Sequence, residues 1–413
     1  MTLADVSPSV SRWRNAVFVI FAATGIAYSS WVTRTPDIRA SLGVTTSVMG
    51  WIIFGLSAGA IAGLLLAGRL VGRHGARRMI AVGGTLTGTG IMVTGVGAVA
   101  PSPALVFAGL AITGGGFGLG EVGLNVEGAA LERVLDRSVV PTLHGAFSVG
   151  TLVGAALGTA AAWAAVPVLV HLGVLGAAAI AACGYGISRL PDATGKEPVV
   201  HGRPAADAGP RQVVWRETRT LLIGFIVLGM AFAEGAASDW LPLAIVDGYG
   251  ADPATASLSY GVFVAFMTAS RLLGGRLVDR FGRVVVLRVA ATLAFAGTSL
   301  VIVAGAQAPA MIGCALWGAG AALGFPLGIS AAGDTQNHAA MRVSAVAILG
   351  YTAFLVGPPL LGCLGEHIGL LRSFYVVLLG VAAAAALSSA VAPGSRGEVA
   401  AARCRLRAGR RNR

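Results

Sequence analysis

The segment GRLVDRFGR occupies residues 275–283, and the related segment GRLVGRHG occupies residues 68–75. Six of the eight aligned positions are identical, at an offset of 207 residues. A second pair repeats at an offset of 208 residues, with GFGLG at 116–120 and GFPLG at 324–328. Repeats at equivalent places indicate that the chain contains two copies of one structural unit.

The residues around these repeats are strongly apolar. Of 413 residues, 55% are hydrophobic and only 12% are charged, with a mean hydropathy of +0.79. Soluble domains carry about 25% charged residues, so the composition excludes an ordinary soluble globule. The chain also has 60 glycines, and small residues allow membrane helices to pack closely. The composition therefore predicts a bundle of membrane-spanning helices.

Twelve apolar segments have the length of about 20 residues that a membrane-spanning helix needs. The predicted segments are residues 16–32, 48–67, 80–99, 105–126, 147–166, 168–187, 221–241, 256–274, 284–304, 310–329, 345–364 and 374–391. Between the sixth and seventh, Pro, Gly and mixed charges predict a flexible linker. We therefore predict six helices within residues 1–187, a linker at 188–220, six helices within 221–392 and a basic tail at 393–413.

The distribution of positive charge predicts the orientation. The net charge is +12, and roughly 26 of the 30 Lys and Arg residues lie on one side of the membrane, the side of the N-terminus. The positive-inside rule then predicts that both termini are cytoplasmic. The charge requires no nucleic-acid partner, because it sets the topology. The basic tail is expected to be solvated, and contact with anionic lipid headgroups is the alternative.

No cofactor is predicted. The four cysteines have no disulfide or metal-ligand spacing, and no Gly-Lys-Ser/Thr nucleotide-binding loop occurs. The remaining energy sources are ion gradients or the gradient of the substrate itself.

The repeated loop between the second and third helices of each half resembles the signature loop of the major facilitator superfamily. The resemblance covers nearly the whole chain and implies an all-α membrane transporter with twelve helices in two pseudo-symmetric six-helix bundles. It implies a conformational role for Gly68, Arg69, Arg73, Gly75, Gly275, Asp279, Arg280, Gly282 and Arg283. Glycines permit the tight turns, and the acid and arginines can form charge pairs that differ between conformers. Gly72 stands where the first copy should have the acid. The alternative is that these cationic loops only set the topology.

A narrower resemblance lies in the fourth helix. The sequence GLGEVGLN at 118–125 looks like the acid-then-Asn pattern of the fucose:proton symporter branch. The segments HGAFSVG at 144–150 and EGAASDW at 234–240 are similar to an uncharacterised bacterial group near that branch. The resemblance implies a bacterial inner-membrane protein. It does not identify fucose, because the symporters carry an acid near the outer end of helix one, where this chain reads WVTR at 31–34.

Among the acids within the predicted helices, Glu121 and Glu234 stand out. A charge in the hydrocarbon core costs at least about 2.5 kcal/mol, so such an acid usually lines a cavity and has a function. We predict that Glu121 is the main proton or substrate carboxylate, since the repeat has Ile329 in its place. The alternative is a structural acid paired with a neighbouring helix.

Asn125 lies one helical turn beyond Glu121 on the same face, where it is expected to contact a polar substrate or hold the carboxylate. His144 begins the fifth helix, with a proton role or a structural hydrogen bond as the two interpretations.

Asp239 and Trp240 follow Glu234 toward the outer end of helix seven. Trp240 is expected either to anchor at the membrane interface or to stack on substrate. We expect Arg271 to extend its guanidinium toward the membrane surface, and an anion-binding role is the alternative. Arg34 has two interpretations, namely binding an anionic substrate at the outer mouth or pairing with Asp37.

These observations predict a monomeric, proton-coupled secondary transporter for a small polar solute such as a sugar or related metabolite. The two halves are expected to rock about a central cavity. One alternative is efflux of a drug-like or secondary metabolite by proton antiport, and another is a non-transporting membrane sensor on the same fold. An enzyme is not expected, because no nucleophile, base and metal constellation appears.

Overall fold

The computed structural model of the chain describes residues 8–136, 139–192, 194–196, 214–334 and 338–393. Every regular element in these residues is helical. The α-helices are α1 (Pro8–Thr33), α2 (Thr35–Leu42), α3 (Thr46–His74), α4 (Ala76–Val99), α5 (Pro103–Leu135), α6 (Val140–Trp163), α7 (Val168–Ile187), α8 (Thr218–Tyr249), α9 (Pro253–Phe281), α10 (Arg283–Val303), α11 (Gln307–Ala321), α12 (Gly324–Ala332), α13 (Ala339–Ile368), α14 (Leu370–Ser373) and α15 (Tyr375–Ala386). The middle of the predicted linker, at 197–213, and the basic tail from 394 lie outside the described residues.

The twelve predicted membrane segments are confirmed as helices. Among the described residues, 11 helical spans are long and apolar enough to cross a membrane, with α11 and α12 counted together as Gln307–Ala332. The twelfth segment is shorter, since α14 and α15 form the apolar stretch Leu370–Ala386. The chain is therefore a multi-pass membrane protein.

Several helices extend beyond the apolar segments that predicted them. Helix α5 has 33 residues where the apolar pattern spans 105–126. At about 1.5 Å per residue it is about 50 Å long, whereas the hydrocarbon core is only about 30 Å thick. Backbone hydrogen bonds continue a helix past the hydrocarbon region, so apolarity marks the spanning part and not the helix ends.

The two halves have the same internal packing. In the first half, α4 packs on α5 and α7, α3 packs on α5, and α1 packs on α6. In the second half, α10 packs on α11 and α15, α9 packs on α11, and α8 packs on α13. Each contact has its counterpart at the same position in the repeat, which gives two pseudo-symmetric six-helix bundles. Helices α3 and α13 form one contact between the halves, and α6 and α9 form another.

Backbone contact joins α4 to α5. A Cβ added to Gly83 would lie 2.7 Å from the carbonyl oxygen of Gly116 and 2.7 Å from the Cα of Gly120. No side chain fits between these helices. This packing through small residues provides close van der Waals contact where lipid gives little hydrophobic driving force between helices.

The predicted helix at 310–329 is interrupted, which corrects the expectation of one continuous helix. Helix α11 ends at Ala321 and α12 begins at Gly324. Pro326 has no backbone N–H to donate to the carbonyl four residues earlier, that of Ala322, and its ring crowds the same carbonyl. The carbonyl of Ala322 is thereby left available to a side chain.

The membrane-spanning helices define two ends of the molecule. The linker face carries the ends of α3 and α7 and the start of α8, and the opposite end is called the far face. Exposed tryptophans lie near the far face at Trp51 and Trp163, and Tyr185 and Trp215 are exposed near the linker face. Aromatic residues at both ends match the aromatic belts of membrane proteins.

Polar contacts join the two halves at the far face. Arg39 and Asp247 form an ion pair through both carboxylate oxygens. Ser257 Oγ donates to the carbonyl of Thr33 at 2.6 Å. The carboxylate of Glu366 accepts from the backbone N–H of Ser47 at 3.1 Å, in the first turn of α3, where helix N–H groups lack partners.

At the linker face, ion pairs between described residues stay within one half. Arg77 pairs with Asp192 in the first half. In the second half, Asp334 binds both Arg219 and Arg283, and Arg342 binds Glu217. The halves are thus held together at the far face and are not joined by a described ion pair at the linker face.

We predict that Gly116→Ala lowers the free energy of unfolding by about 1–3 kcal/mol, as overpacking does. The added Cβ would lie 2.5 Å from the carbonyl oxygen of Gly83 and 2.5 Å from the nitrogen of Thr87. Thermal unfolding midpoints in detergent measure the effect. Gly184→Ala is the control, because its Cβ would meet nothing within 4 Å. Equal midpoints for the two variants would contradict backbone contact between α4 and α5.

Candidate functional site

Glu121 faces the second half because glycines occupy the neighbouring faces of α5. Gly114 and Gly118 pack on α3, and Gly116 lies against α4. Phe117 and Glu121, four residues apart, share the remaining face. Glu121 is half-buried and lies within electrostatic range of Tyr351 on α13.

The carboxylate of Glu121 has no hydrogen bond or ion pair to another described residue. The alternative of a structural acid paired with a neighbouring helix therefore has no support among the described contacts. An ionised carboxylate in such a place needs water, a proton or a bound donor to offset its loss of hydration.

Asn125 and His144 meet at the linker side of Glu121. His144 Nε2 lies 3.0 Å from Asn125 Oδ1, so an Nε2–H tautomer donates to the amide oxygen. The imidazole stands edge-on to Phe21, with ring centroids 5.3 Å apart. His144 is exposed and lies within electrostatic range of Arg271 on α9 of the second half. It therefore has both a fixed partner and access to the space between the halves.

Glu234 is paired, unlike Glu121. Arg271 Nη2 lies 2.6 Å from Glu234 Oε1, and Arg271 Nε donates to the carbonyl of Ala322 at 3.4 Å. The side chains are 27% and 18% exposed, respectively. The expectation that Arg271 extends to the membrane surface is wrong, because an acid and the carbonyl freed by Pro326 both lie within its reach inside the bundle.

Asp239 and Trp240 are both buried. Asp239 is 6% exposed and lies within electrostatic range of Tyr28 on α1 and Tyr260 on α9. Trp240 is 0% exposed, so its interpretation as an interface anchor is wrong. Its ring packs at the contact between α3 and α13, where a Cβ on Gly50 or Gly362 would lie 3.3 or 3.2 Å from it.

Three aromatic rings form a group that the sequence motifs do not indicate. Tyr28, Phe117 and Phe147 come from α1, α5 and α6, and their ring centroids are 5.9 to 6.5 Å apart. Each ring is only partly buried. The one sequence signal for this group is that Phe117 and Phe147 lie one turn from Glu121 and His144, respectively.

The signature loops adopt matching backbone turns. Gly75 ends α3 with φ 87° and Gly282 ends α9 with φ 79°, values that favour glycine. Arg283 binds both oxygens of Asp334 at 2.9 Å, whereas Asp279 has no ion pair among the described residues. The other loop residues predicted to act are exposed, namely Gly68, Arg69, Arg73, Gly275 and Arg280.

Arg34 belongs to the first half and not to the outer mouth. Its Nε lies 2.9 Å from Asp37 Oδ2, and its Nη2 donates to the carbonyl of Val166 at 2.7 Å. Burial raises the pKa of Asp37 and lowers the pKa of Arg34, and the opposite charge of each partner counteracts the shift of the other. Of the two interpretations, the pairing with Asp37 is confirmed.

Twelve membrane helices in two related halves, with acids facing the space between them, define a polytopic transporter. Residues 16–352 match the family described as the Major Facilitator Superfamily. The chain belongs to this family, and it is a transporter and not an enzyme.

Known relatives and structures agree with this assignment. An uncharacterised MFS-type transporter of Yersinia pestis is 28% identical over 94% of this chain and 97% of its own length. An uncharacterised transporter of Sinorhizobium fredii is 30% identical over 92% of this chain and 98% of its own. A mutant of the nucleoside transporter NupG has a TM-score of 0.74 at 12% identity, covering 92% of this chain and 98% of that chain. FucP in the outward conformation has a TM-score of 0.64 at 16% identity, covering 93% and 99%.

We predict that Glu234→Gln and Arg271→Gln each lower the thermal midpoint, because each leaves a partly buried charge without its partner. The double variant should lose less than the sum of the two, with a coupling of about 1–3 kcal/mol. Thermal unfolding of all four proteins measures the cycle.

The control cycle uses Arg77→Gln and Asp192→Asn. Asp192 is 83% exposed, and exposed pairs contribute only about 0–1 kcal/mol. If the double variant loses as much stability as the Glu234→Gln and Arg271→Gln variants together, the two side chains are not paired.

Proposed function

We propose that the protein moves a small polar solute, a sugar or related metabolite, together with protons across a bacterial inner membrane. The observation that carries the proposal is Glu121, a half-buried acid without a described partner that faces the other half. Three proteins that share the fold support a small polar solute, and the two proton symporters among them support the coupling. The three are a D-xylose–proton symporter, the E. coli fucose:proton symporter FucP and the nucleoside transporter NupG.

Glu121 couples the proton to the movement of the halves through its charge. While the carboxylate is ionised, closing the cavity around it removes water from an unpaired charge, which is costly. A proton on the carboxylate, or hydroxyl groups donating to it, offsets that cost. Glu234 has no such dependence because Arg271 already neutralises it. Asn125 and His144 lie on the linker side, where they provide a polar route for the proton.

The linker face is the cytoplasmic side in this proposal. The basic residues concentrate there, as the positive-inside rule expects, so both termini are cytoplasmic. The contacts at the far face, among them Arg39 with Asp247, then close the cavity on the outer side. The opposite conformer requires these contacts to break, and the signature loops are proposed to bring the halves together at the linker face in exchange.

We predict that Glu121→Gln abolishes proton-driven accumulation in proteoliposomes but retains solute counterflow. The amide resembles the protonated acid in shape and lack of charge, so the halves still exchange but no proton is carried. Uptake of a substrate found by ligand screening, with and without an imposed pH gradient, measures both activities. Glu127→Gln is the control on the same helix, since Glu127 is buried and accepts from Trp13 Nε1 at 2.8 Å. Full proton coupling in Glu121→Gln would refute the role of this carboxylate.

We predict that Asp247→Asn shifts the protein toward a conformer open at the far face, because it removes one charge of an ion pair between the halves. The measurement is labelling of Ala256→Cys, a site that is 0% exposed beside the far-face contact. A membrane-impermeant maleimide should react several-fold faster in the Asp247→Asn background, with the native cysteines replaced by serine.

Asp252→Asn is the control for the labelling experiment. Asp252 caps α9 within its own half, and Asn caps a helix about equally well. Unchanged labelling with Asp247→Asn would show that the pair does not hold the far face closed.

A further inference from the structure

The three rings of Tyr28, Phe117 and Phe147 are named the ring wall. The centroids of Phe117 and Phe147 are 5.9 Å apart with planes at 54°, and Tyr28 lies 5.9 Å from Phe117 at 36°. The third side, between Tyr28 and Phe147, measures 6.5 Å. The three rings thus form a triangle from three different helices, with none stacked flat on another.

The ring wall faces the space between the halves and not the lipid. Tyr28 lies within electrostatic range of Asp239 and Glu234, both on α8 of the second half. Phe117 shares its face of α5 with Glu121, which lies within range of Tyr351 in the second half.

The second half presents aromatic side chains on α12 and α13. Tyr351 and Phe325 have centroids 5.9 Å apart, and Phe325 directly precedes the proline that interrupts the helix. Aromatic surfaces therefore lie on both sides of the space that contains Glu121. Ligand sites are commonly lined in this way, by apolar and aromatic groups with a few polar groups that fix orientation.

We propose that the ring wall is the specificity-determining surface for the solute, and that it selects a sugar in its cyclic form. The faces of a pyranose ring carry C–H groups that can lie on aromatic rings and exclude water. Its hydroxyl groups at the rim can donate to the Glu121 carboxylate one turn away. An open-chain polyol has similar hydroxyl groups but no fixed apolar face. This inference rests on the proposed function, since it specifies the solute of the same site.

Binding to the purified full-length protein tests the inference with solutes matched in carbon number and differing in ring closure. The pairs are D-xylose with xylitol, D-glucose with D-glucitol, and L-fucose with L-fucitol, each titrated by thermal shift. We expect at least one cyclic sugar to raise the midpoint of the wild-type protein and its open-chain partner to bind at least tenfold more weakly. Phe117→Leu and Phe147→Leu keep an apolar side chain but lose the flat face. Each should weaken the binding of that sugar about three- to tenfold, the scale of aromatic contacts.

Each shift is taken relative to the same variant without solute, so a loss of stability is not counted as a loss of binding. Phe225→Leu is the matched control, because Phe225 is 52% exposed on α8 and has no ring contact among the described residues. Equal binding of the open-chain partner, unchanged affinity in both leucine variants, or no binding of any cyclic sugar would overturn the inference. Proton-driven flux is measured separately in proteoliposomes. If a cyclic sugar binds but no flux is seen, only the proposed function is contradicted. If an open-chain solute moves with protons, only the selection of cyclic sugars by the ring wall is contradicted.

Discussion

Direct backbone contact between glycine-bearing helix faces is the constraint on which this molecule depends. Where Gly83 meets Gly116, no side chain fits between α4 and α5, and the same kind of contact joins the halves at Gly50 and Gly362. Close packing fixes the rotation of each helix about its axis. The bulky and charged residues of α5, Phe117 and Glu121, are thereby directed to the one face that remains free. The glycine pattern of α5 therefore determines both the packing of the first half and the direction in which Glu121 points.

The second half shows how a break in one helix serves a charge on another. Pro326 leaves the carbonyl of Ala322 without its helical donor, and Arg271 donates to that carbonyl while pairing with Glu234. The guanidinium thus satisfies two groups that would be costly to bury alone. A continuous helix at this position would leave Arg271 with fewer acceptors. The irregular backbone therefore lies where protein, and not lipid, surrounds it.

Apolar segment length and the internal repeat were enough to predict twelve helices, two related halves and the proximity of Asn125 to Glu121. The pairings between helices were not predictable in the same way. Arg271 and Glu234 lie on different helices of low amphipathicity, so nothing in their local sequence shows which faces meet. Arg39 and Asp247 are separated by 208 residues, and their contact depends on how the two halves dock. Trp240 looked like an interface anchor because it follows an acid near a helix end, but α8 continues to Tyr249 and buries it.

Glu121 and Glu234 differ in how their charges are balanced, and on the proposed function this difference bears on coupling. Glu121 has no counterpart in the repeat, where Ile329 stands, whereas Glu234 has Arg271 beside it. Closing the cavity around the ion pair of Glu234 and Arg271 buries no net charge. That step therefore does not depend on a proton. Closing the cavity around an unpaired carboxylate does depend on the proton, because the ionised form must lose its water without compensation. Glu234 with its partner Arg271 can therefore serve stability, and Glu121 can serve as the condition for exchange. On the proposed function, protonation of Glu121 lowers the cost of closing the cavity, and this links the proton to the exchange of the halves.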